Sequence, residues 1–256
     1  MQNNTFSGLI VGQNLLTLKE VDSTNTFLKN MLANNEPVPE GTVIMAESQV
    51  AGRGQQQNKW YSSVGESLTF SILLKPEFIP VSQQFILTCT ISLGIYDALQ
   101  TLVGAQLKIK WPNDIFIGNC KLGGILIENQ VQGKVIRNSI IGIGLNINQS
   151  EFPHWVSNAV SLKQMLHTDY DLKTLLLEIC RHIQYWYIKL KDGNYSQIQA
   201  AYLKALYRLN IQGRFKAQDI IFEGIITGIN LTGQLLVKNN EVLVAYNLKE
   251  IEFLNN

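Results

Sequence analysis

The sequence predicts an α+β protein, with a mixed β-sheet covered by helices and then a small β-barrel. Three observations predict it. Segments of helical period and of strand period alternate up to Leu206, and beyond Arg208 only short strands and turns remain. The 256 residues also suffice for one large core with a small second domain beside it. The expected division is a first domain over 1–208 and a second over 209–256.

Asp22-Ser23-Thr24 supplies N-cap residue types to a helix reaching Ala33, with Phe27, Leu28, Met31 and Leu32 on its apolar side; Pro37 and Pro39 end it. Strands over 41–50 and 67–75 enclose the stretch Gly52-Arg53-Gly54. The most apolar run, Phe85 to Leu99, is interrupted by Thr88, Thr90, Ser92 and Asp97 and is too short to cross a bilayer, so 83–102 is expected as a buried core helix. Segments 108–111, 115–117, 124–129 and 134–148 are β-rich, and the 129–134 turn closes a hairpin. Leu172, Leu175, Leu176, Ile179, Ile183, Trp186 and Leu190 recur at helical spacing, and a shorter helix is expected over 195–206. In the tail, turns at Gly213, Gly228, Gly233 and Asn239-Asn240 separate the strands of a barrel of about 45 residues, too small to stand alone and so expected to dock on the larger domain.

Composition excludes several function classes. Lysine plus arginine number 21 against 20 acids, a net charge of +1, so no global field recruits DNA or an anionic membrane, and neither is expected as a partner. Cys89, Cys120 and Cys180 are odd in number and far apart, which argues against a disulfide framework or a zinc site. His154, His167 and His182 have no metal-ligand spacing and no paired nucleophile. No metal site is expected in the protein itself. The N-terminus lacks a basic region followed by an apolar core, so the expected location is a reducing cytoplasm. Gly142-Ile143-Gly144 opens like a dinucleotide fingerprint, but Ile147 stands where the third glycine is required.

Three stretches carry chemistry. Backbone N–H groups of Gly52-Arg53-Gly54 can converge on an anion while the guanidinium forks onto a carboxylate or phosphate; a lone surface turn is the plain alternative. In Lys110-Trp111-Pro112-Asn113-Asp114, proline fixes the chain after a strand, so Asn113 and Asp114 either project toward a ligand or simply make a turn. Lys121 precedes Gly123-Gly124, and a β-hairpin would bring its ammonium back toward Asp114; a solvated lysine is the alternative.

Taken in order, these stretches resemble the biotin-protein ligase family. The resemblance is carried by Asp22-Ser23-Thr24-Asn25, Gln49, Gly52-Arg53-Gly54, Trp60, Lys110 to Asp114, Lys121-Leu122-Gly123-Gly124-Ile125-Leu126-Ile127-Glu128 and Gly142 to Asn148. The β-rich tail is similar to the family's small SH3-like C-terminal domain. The resemblance implies a two-step ligation, in which biotin and ATP form biotinyl-5'-AMP and a lysine of a biotin carboxyl carrier domain then takes the biotin.

It also implies residue roles. Arg53, Asp114 and Lys121 form the catalytic set, with Asp114 orienting or deprotonating the carrier lysine. Ser23, Thr24, Asn25, Gln49, Arg53, Gly54, Gln55, Lys121 and Gly124 bind biotin, and Arg53, Trp60, Lys110, Asn113, Lys121 and Asn146 meet the nucleotide. Mg2+ accompanies the ATP phosphates, held by phosphate and water. The chain departs from the family where a second arginine often follows Gly-Arg-Gly and Gln55, Gln56, Gln57, Asn58 and Lys59 stand instead, so retention of the adenylate is where it should differ. Only Met1 to Val21 precede the first motif, so no three-helix DNA-binding module is expected. The protein is expected as a monomer or homodimer. Two rival readings are a lipoate-protein ligase or octanoyltransferase, which would lack the Gly-Arg-Gly and Lys-Trp-Pro-Asn-Asp pair, and a non-catalytic nucleotide- or nucleic-acid-binding module.

Overall fold

The computed structural model describes residues 2–5, 10–34, 36–55 and 58–254. Gln56 and Gln57, and Met1, Asn255 and Asn256 at the ends of the expected domains, lie outside the described residues. The larger sheet is built from β1 (Gln2–Thr5), β2 (Asn14–Val21), β3 (Val43–Gln49), β4 (Ser67–Leu74), β5 (Leu107–Lys110), β6 (Asp114–Ile117), β7 (Cys120–Gln132) and β8 (Val135–Asn146). Its order is β1-β2-β3-β4-β8-β7-β6-β5. β2 and β3 run parallel and the other pairs antiparallel, so the sheet is mixed as expected.

Strand period two divides the sheet into two faces. On β4, Leu68, Phe70, Ile72 and Leu74 join the larger core, whereas Leu73 joins a smaller one; on β3, Val43 and Met45 go to the first and Ile44 and Ala46 to the second. The smaller core is closed by Leu28 of helix α1 (Thr24–Ala33). The larger core is closed by α2 (Phe85–Val103), α4 (Leu172–Lys191) and α5 (Tyr195–Ala205), with the one-turn α3 (Leu162–Leu166) at its edge. α2 and α4 approach closely at Gly94, where an added Cβ would lie 2.6 Å from Ile183 Cα.

Several expectations need correction. β2 and β1 were not foreseen, because the burial of β2 falls on Leu15 and Leu18 and not on alternate residues. The apolar helix is longer than expected: with the 3-10 turn after it, it runs Phe85–Gln106, 22 residues, long and apolar enough to cross a bilayer. It is instead buried, with Leu87, Ile91, Ile95 and Leu99 at or near zero exposure against the sheet and α4. Its start also moves from Gln83 to Phe85, since residues 81–83 form a 3-10 turn after Pro80.

In the tail, β9 (Gln212–Ala217), β10 (Ile220–Ile229), β11 (Leu235–Asn239), β12 (Val242–Tyr246) and β13 (Glu252–Phe253) form an antiparallel sheet of order β12-β11-β10-β9-β13. Gly233 and Asn240 lie in turns as expected, but Gly213 is inside β9 and Gly228 inside β10 at a β-bulge. The sheet curls, so Phe222 of β10 and Tyr246 of β12, which are not ladder neighbours, stack at 6.1 Å. Phe215, Ile226, Leu235, Val237 and Ile251 belong to the same core as α2, and Trp111 Nε1 donates to Gly233 O at 2.8 Å, so the tail is docked as expected.

Candidate active site

The face of the sheet that carries α1 is bare backbone at three glycines beyond the helix, Gly124, Gly142 and Gly144. On β8, Ile141, Ile143 and Leu145 enter the larger core, so Gly142 and Gly144 face the other way. Their partners on β7 are Leu126 and Gly124. A Cβ on Gly142 would lie 2.5 Å from Asn25 Oδ1, and one on Gly144 would lie 2.5 Å from the Trp60 ring. Bare backbone is therefore what lets Asn25 and Trp60 lie flat on the sheet. The result is a cavity of about 280 Å³, close to the lower end of roughly 300–1,000 Å³ for small-molecule sites.

One end of this cavity is polar and uncharged. Ser23 is the N-cap of α1 by backbone geometry, but its side chain makes no cap hydrogen bond. The Thr24 N–H donates to Gln49 Oε1 at 2.8 Å and its hydroxyl lies 3.2 Å from the same oxygen. Ser71 Oγ, 2.7 Å from Thr24 Oγ1 and 2.6 Å from Asn25 Oδ1, ties the two together from below. Ser23, Thr24 and Asn25 are all nearly buried. Gln49 and Ser71 hold the polar atoms of Thr24 and Asn25, so the end is preorganised for a ligand that offers both donors and acceptors.

The other end holds charge. β6 and β7 form the expected hairpin, and Lys121 Nζ lies 2.7 Å from Asp114 Oδ1. Lys121 and Gly124 are three residues apart and would face opposite sides of a regular strand, yet a bulge after Ile115 pairs Asp114 with Gly124 and Phe116 with Lys121, putting all four on one face. The lysine thus lies across the glycine to reach the carboxylate. Asn113 Nδ2 donates to Ile125 O at 2.6 Å, which fixes the turn that carries Asp114. The Trp111–Pro112 peptide in that turn is cis.

The Gly52 to Trp60 stretch closes the top. Gly54 N donates to Asn58 O, Trp60 N donates to Gly52 O, and Arg53 bridges Lys59, so this is a small hairpin and not a bare loop. Arg53, Gly54, Gln55, Asn58, Lys59 and Trp60 all line the cavity. Arg53 Nη2 donates to Glu128 Oε2 at 2.9 Å, and that oxygen also accepts from Asn25 Nδ2 at 2.8 Å. Trp60 Nε1 is buried without an acceptor among the described residues.

Of the expected site residues, Ser23, Thr24, Asn25, Gln49, Arg53, Gly54, Gln55, Trp60, Asn113, Asp114, Lys121 and Gly124 all line this cavity. Lys110 and Asn146 do not. Lys110 pairs with Asp114 in the β5–β6 ladder, but its ammonium lies 4.6 Å from the Phe116 ring and 5.0 Å from the Phe253 ring. Burial pulls its pKa below the usual lysine value, against the opposing pull of Asp114. Asn146 is buried at the end of β8, where its side-chain oxygen accepts from Gln149 Nε2 at 3.3 Å. Glu128 is the residue whose place was not foreseen, although it follows Gly124 and Leu126 at strand period on β7. A second cavity of about 280 Å³ adjoins the first, sharing Gln55, Pro112, Asn113, Ile125 and Leu248 and reaching Thr232 to Gln234 of the C-terminal sheet. Among the described residues no group of three or more histidine, cysteine or acidic side chains is placed to hold a metal ion.

Comparison with known proteins bears on the family and the fold. Residues 17–146 match the model of the biotin/lipoate A/B protein ligase family. The bifunctional ligase/repressor BirA of Bacillus subtilis is 32% identical over 248 residues, covering 95% of this chain and 75% of that protein. The biotin–[acetyl-CoA-carboxylase] ligase of Paracoccus denitrificans is 26% identical, covering 86% of this chain and 92% of the relative. Among solved structures, the biotin protein ligase of Aquifex aeolicus in complex with biotin and ATP superposes with a TM-score of 0.79 at 28% identity, over 94% of this chain and 99% of that one.

Proposed function

The chain belongs to the biotin/lipoate A/B protein ligase family, and we propose that within it the cavity works as an ATP-dependent biotin-protein ligase. The observation that carries this reading is the meeting, in one cavity, of a buried hydrogen-bonding end and a charged end held by Lys121, with Arg53 lining the same cavity. A ureido ring at one end of a short apolar chain and a carboxylate at the other match that polarity.

Biotin enters with its ureido edge against Ser23, Thr24, Asn25 and Gln49, whose hydrogen bonds offset the cost of burying it. Its carboxylate then lies toward Lys121 and Arg53. The carboxylate oxygen attacks the α-phosphorus of ATP, the bond to the bridging oxygen breaks, and pyrophosphate leaves with the electron pair. Negative charge on the phosphoryl oxygens is met by the Lys121 ammonium, a fixed cation that needs little reorganisation as the bond forms, and by Arg53. The unpartnered Trp60 Nε1 is a donor available to the nucleotide.

In the second half the ε-amine of a carrier lysine attacks the carbonyl of biotinyl-5'-AMP. Asp114, beside Lys121, takes the proton that the amine must lose, and AMP departs from the tetrahedral carbon. The acceptor is a biotin carboxyl carrier domain.

Mg2+ fits as an ion carried in by the phosphates. Asp114 is the one carboxylate among the cavity-lining residues, and no cluster of three ligands exists among the described residues. Phosphate oxygens and water would hold it, where it would offset phosphate charge.

Biotin-dependent exchange of labelled pyrophosphate into ATP tests the first step. Exchange driven by lipoate or octanoate and not by biotin would replace this reading with that of a lipoate ligase.

A further inference from the structure

Two of the three cations that line the cavity, Lys121 and Arg53, are already paired. Lys121 has Asp114, which the proposed chemistry uses, and Arg53 has Glu128, to which it assigns nothing. Glu128 is held from behind: the Asn25 amide that donates to its Oε2 is 2% exposed and is itself fixed by Ser71. Arg53, on the opposite side of the same oxygen, has a side chain that is 42% exposed and stands on a glycine-flanked hairpin. The carboxylate is therefore the anchored partner and the guanidinium the one free to leave.

The pair also occupies the guanidinium nitrogen that Arg53 would turn toward an anion. Glu128 is four residues from Gly124 along β7, and the Asn25 Nδ2 that holds its Oε2 also lies 3.5 Å from Leu126 O, two residues nearer to the end where Lys121 meets Asp114. An anion that takes Nη2 of Arg53 must displace Glu128 from it. Resting on the biotin-ligase reading, we propose that Glu128 is a positioning residue, a built-in counter-ion that parks Arg53 until an anionic ligand displaces it. Holding the guanidinium reduces the orientations open to it, and the same contact competes with the substrate. Because the same guanidinium nitrogen would serve both partners, competition dominates.

Glu128→Gln keeps an oxygen for Asn25 and removes the charge. Calorimetry with two probes separates the possibilities: the adenosine phosphodiester of biotinol, an unreactive anion, and biotinol itself, which is neutral. Glu128→Gln should bind the phosphodiester roughly two- to fivefold tighter, the scale of a part-exposed ion pair, and biotinol with unchanged affinity. The gain should vanish in an Arg53→Met background. Unchanged or weaker phosphodiester binding, equal tightening of both probes, or a gain that persists without Arg53 would overturn the assignment of Glu128. A wild-type protein that binds neither probe would overturn the ligase reading and this inference with it.

Discussion

Asp114 and Lys121 stand on adjacent strands of one hairpin with 2.7 Å between carboxylate and ammonium, and the bulge at β7 is what turns them to the same side. The pair is part-exposed, with side chains 22% and 36% accessible, so it contributes about 0–1 kcal/mol to stability. Its members can therefore be changed one at a time with the fold intact. Lys121→Ala should lower pyrophosphate exchange by about a hundred- to a thousandfold, the usual cost of one charge-stabilising donor. Near-normal exchange in the folded variant would remove Lys121 from the proposed first step.

Asp114→Asn keeps the size and an acceptor oxygen but no longer takes a proton. The defect should fall on transfer from preformed biotinyl-5'-AMP to the carrier lysine, with pyrophosphate exchange much less affected. Single-turnover transfer followed across pH is the measurement, because a lost base shows as a rate that recovers as the amine deprotonates in solution. Equal transfer rates in both proteins would assign Asp114 a holding role only.

Lys110 offers the contrast. Its ammonium lies between the Phe116 and Phe253 rings and outside the cavity lining, so it joins β6 to the last strand of the C-terminal sheet. Lys110→Met preserves the aliphatic stem and loses the charge. We expect a fall of less than about tenfold in exchange, since no interaction with the transferring phosphoryl group is removed. A loss as large as that of Lys121→Ala would return Lys110 to the nucleotide site.

Gly94 tests the packing that supports the sheet. Alanine in place of glycine within a helix is worth about 1 kcal/mol in propensity, but here the new Cβ would lie 2.6 Å from Ile183 Cα and 2.8 Å from its nitrogen, which are backbone atoms that cannot rotate away. Overpacking of this kind costs about 1–3 kcal/mol, so Gly94→Ala should be net destabilising and lower Tm by a few degrees. A rise in Tm would mean that α2 and α4 slide apart at little cost.

Much of the fold was legible in the sequence. α1 was readable because Ser23 and Pro37 bracket an apolar stripe, and the β6–β7 hairpin because turn residues separate two short β-rich runs. β2 was hidden because its apolar residues break strict alternation, and α3 because five residues are too few to show a period, although Ser161 and Gln164 form a capping box. Gly213 and Gly228 read as turns because glycine is a turn signal, whereas here they sit in strands. In the site, the ordered motifs brought most of the cavity lining together. Lys110 and Asn146 fall outside the cavity lining, because a motif lists neighbours in sequence and not the face each takes. The opposite held for Glu128, whose strand period with Gly124 and Leu126 pointed to the cavity side.

The hairpin over the cavity gives the last prediction. Residues 52–55 and 58–60 are joined by backbone hydrogen bonds, and Trp60 is seated on Gly144. What the ligand changes is then the outer strand of the lid and not its hinge. Arg53 and Lys59 are both exposed and offer trypsin two sites. In the proposed reaction Arg53 gains an anionic partner as biotinyl-5'-AMP forms, and closing the hairpin keeps water from the mixed anhydride. Cleavage after Arg53 or Lys59 should be readily detected in the free protein and slow markedly with saturating biotin and ATP, while cuts elsewhere keep their rates. Equal cleavage at these two sites with and without the ligands would mean that the hairpin does not close on the adenylate.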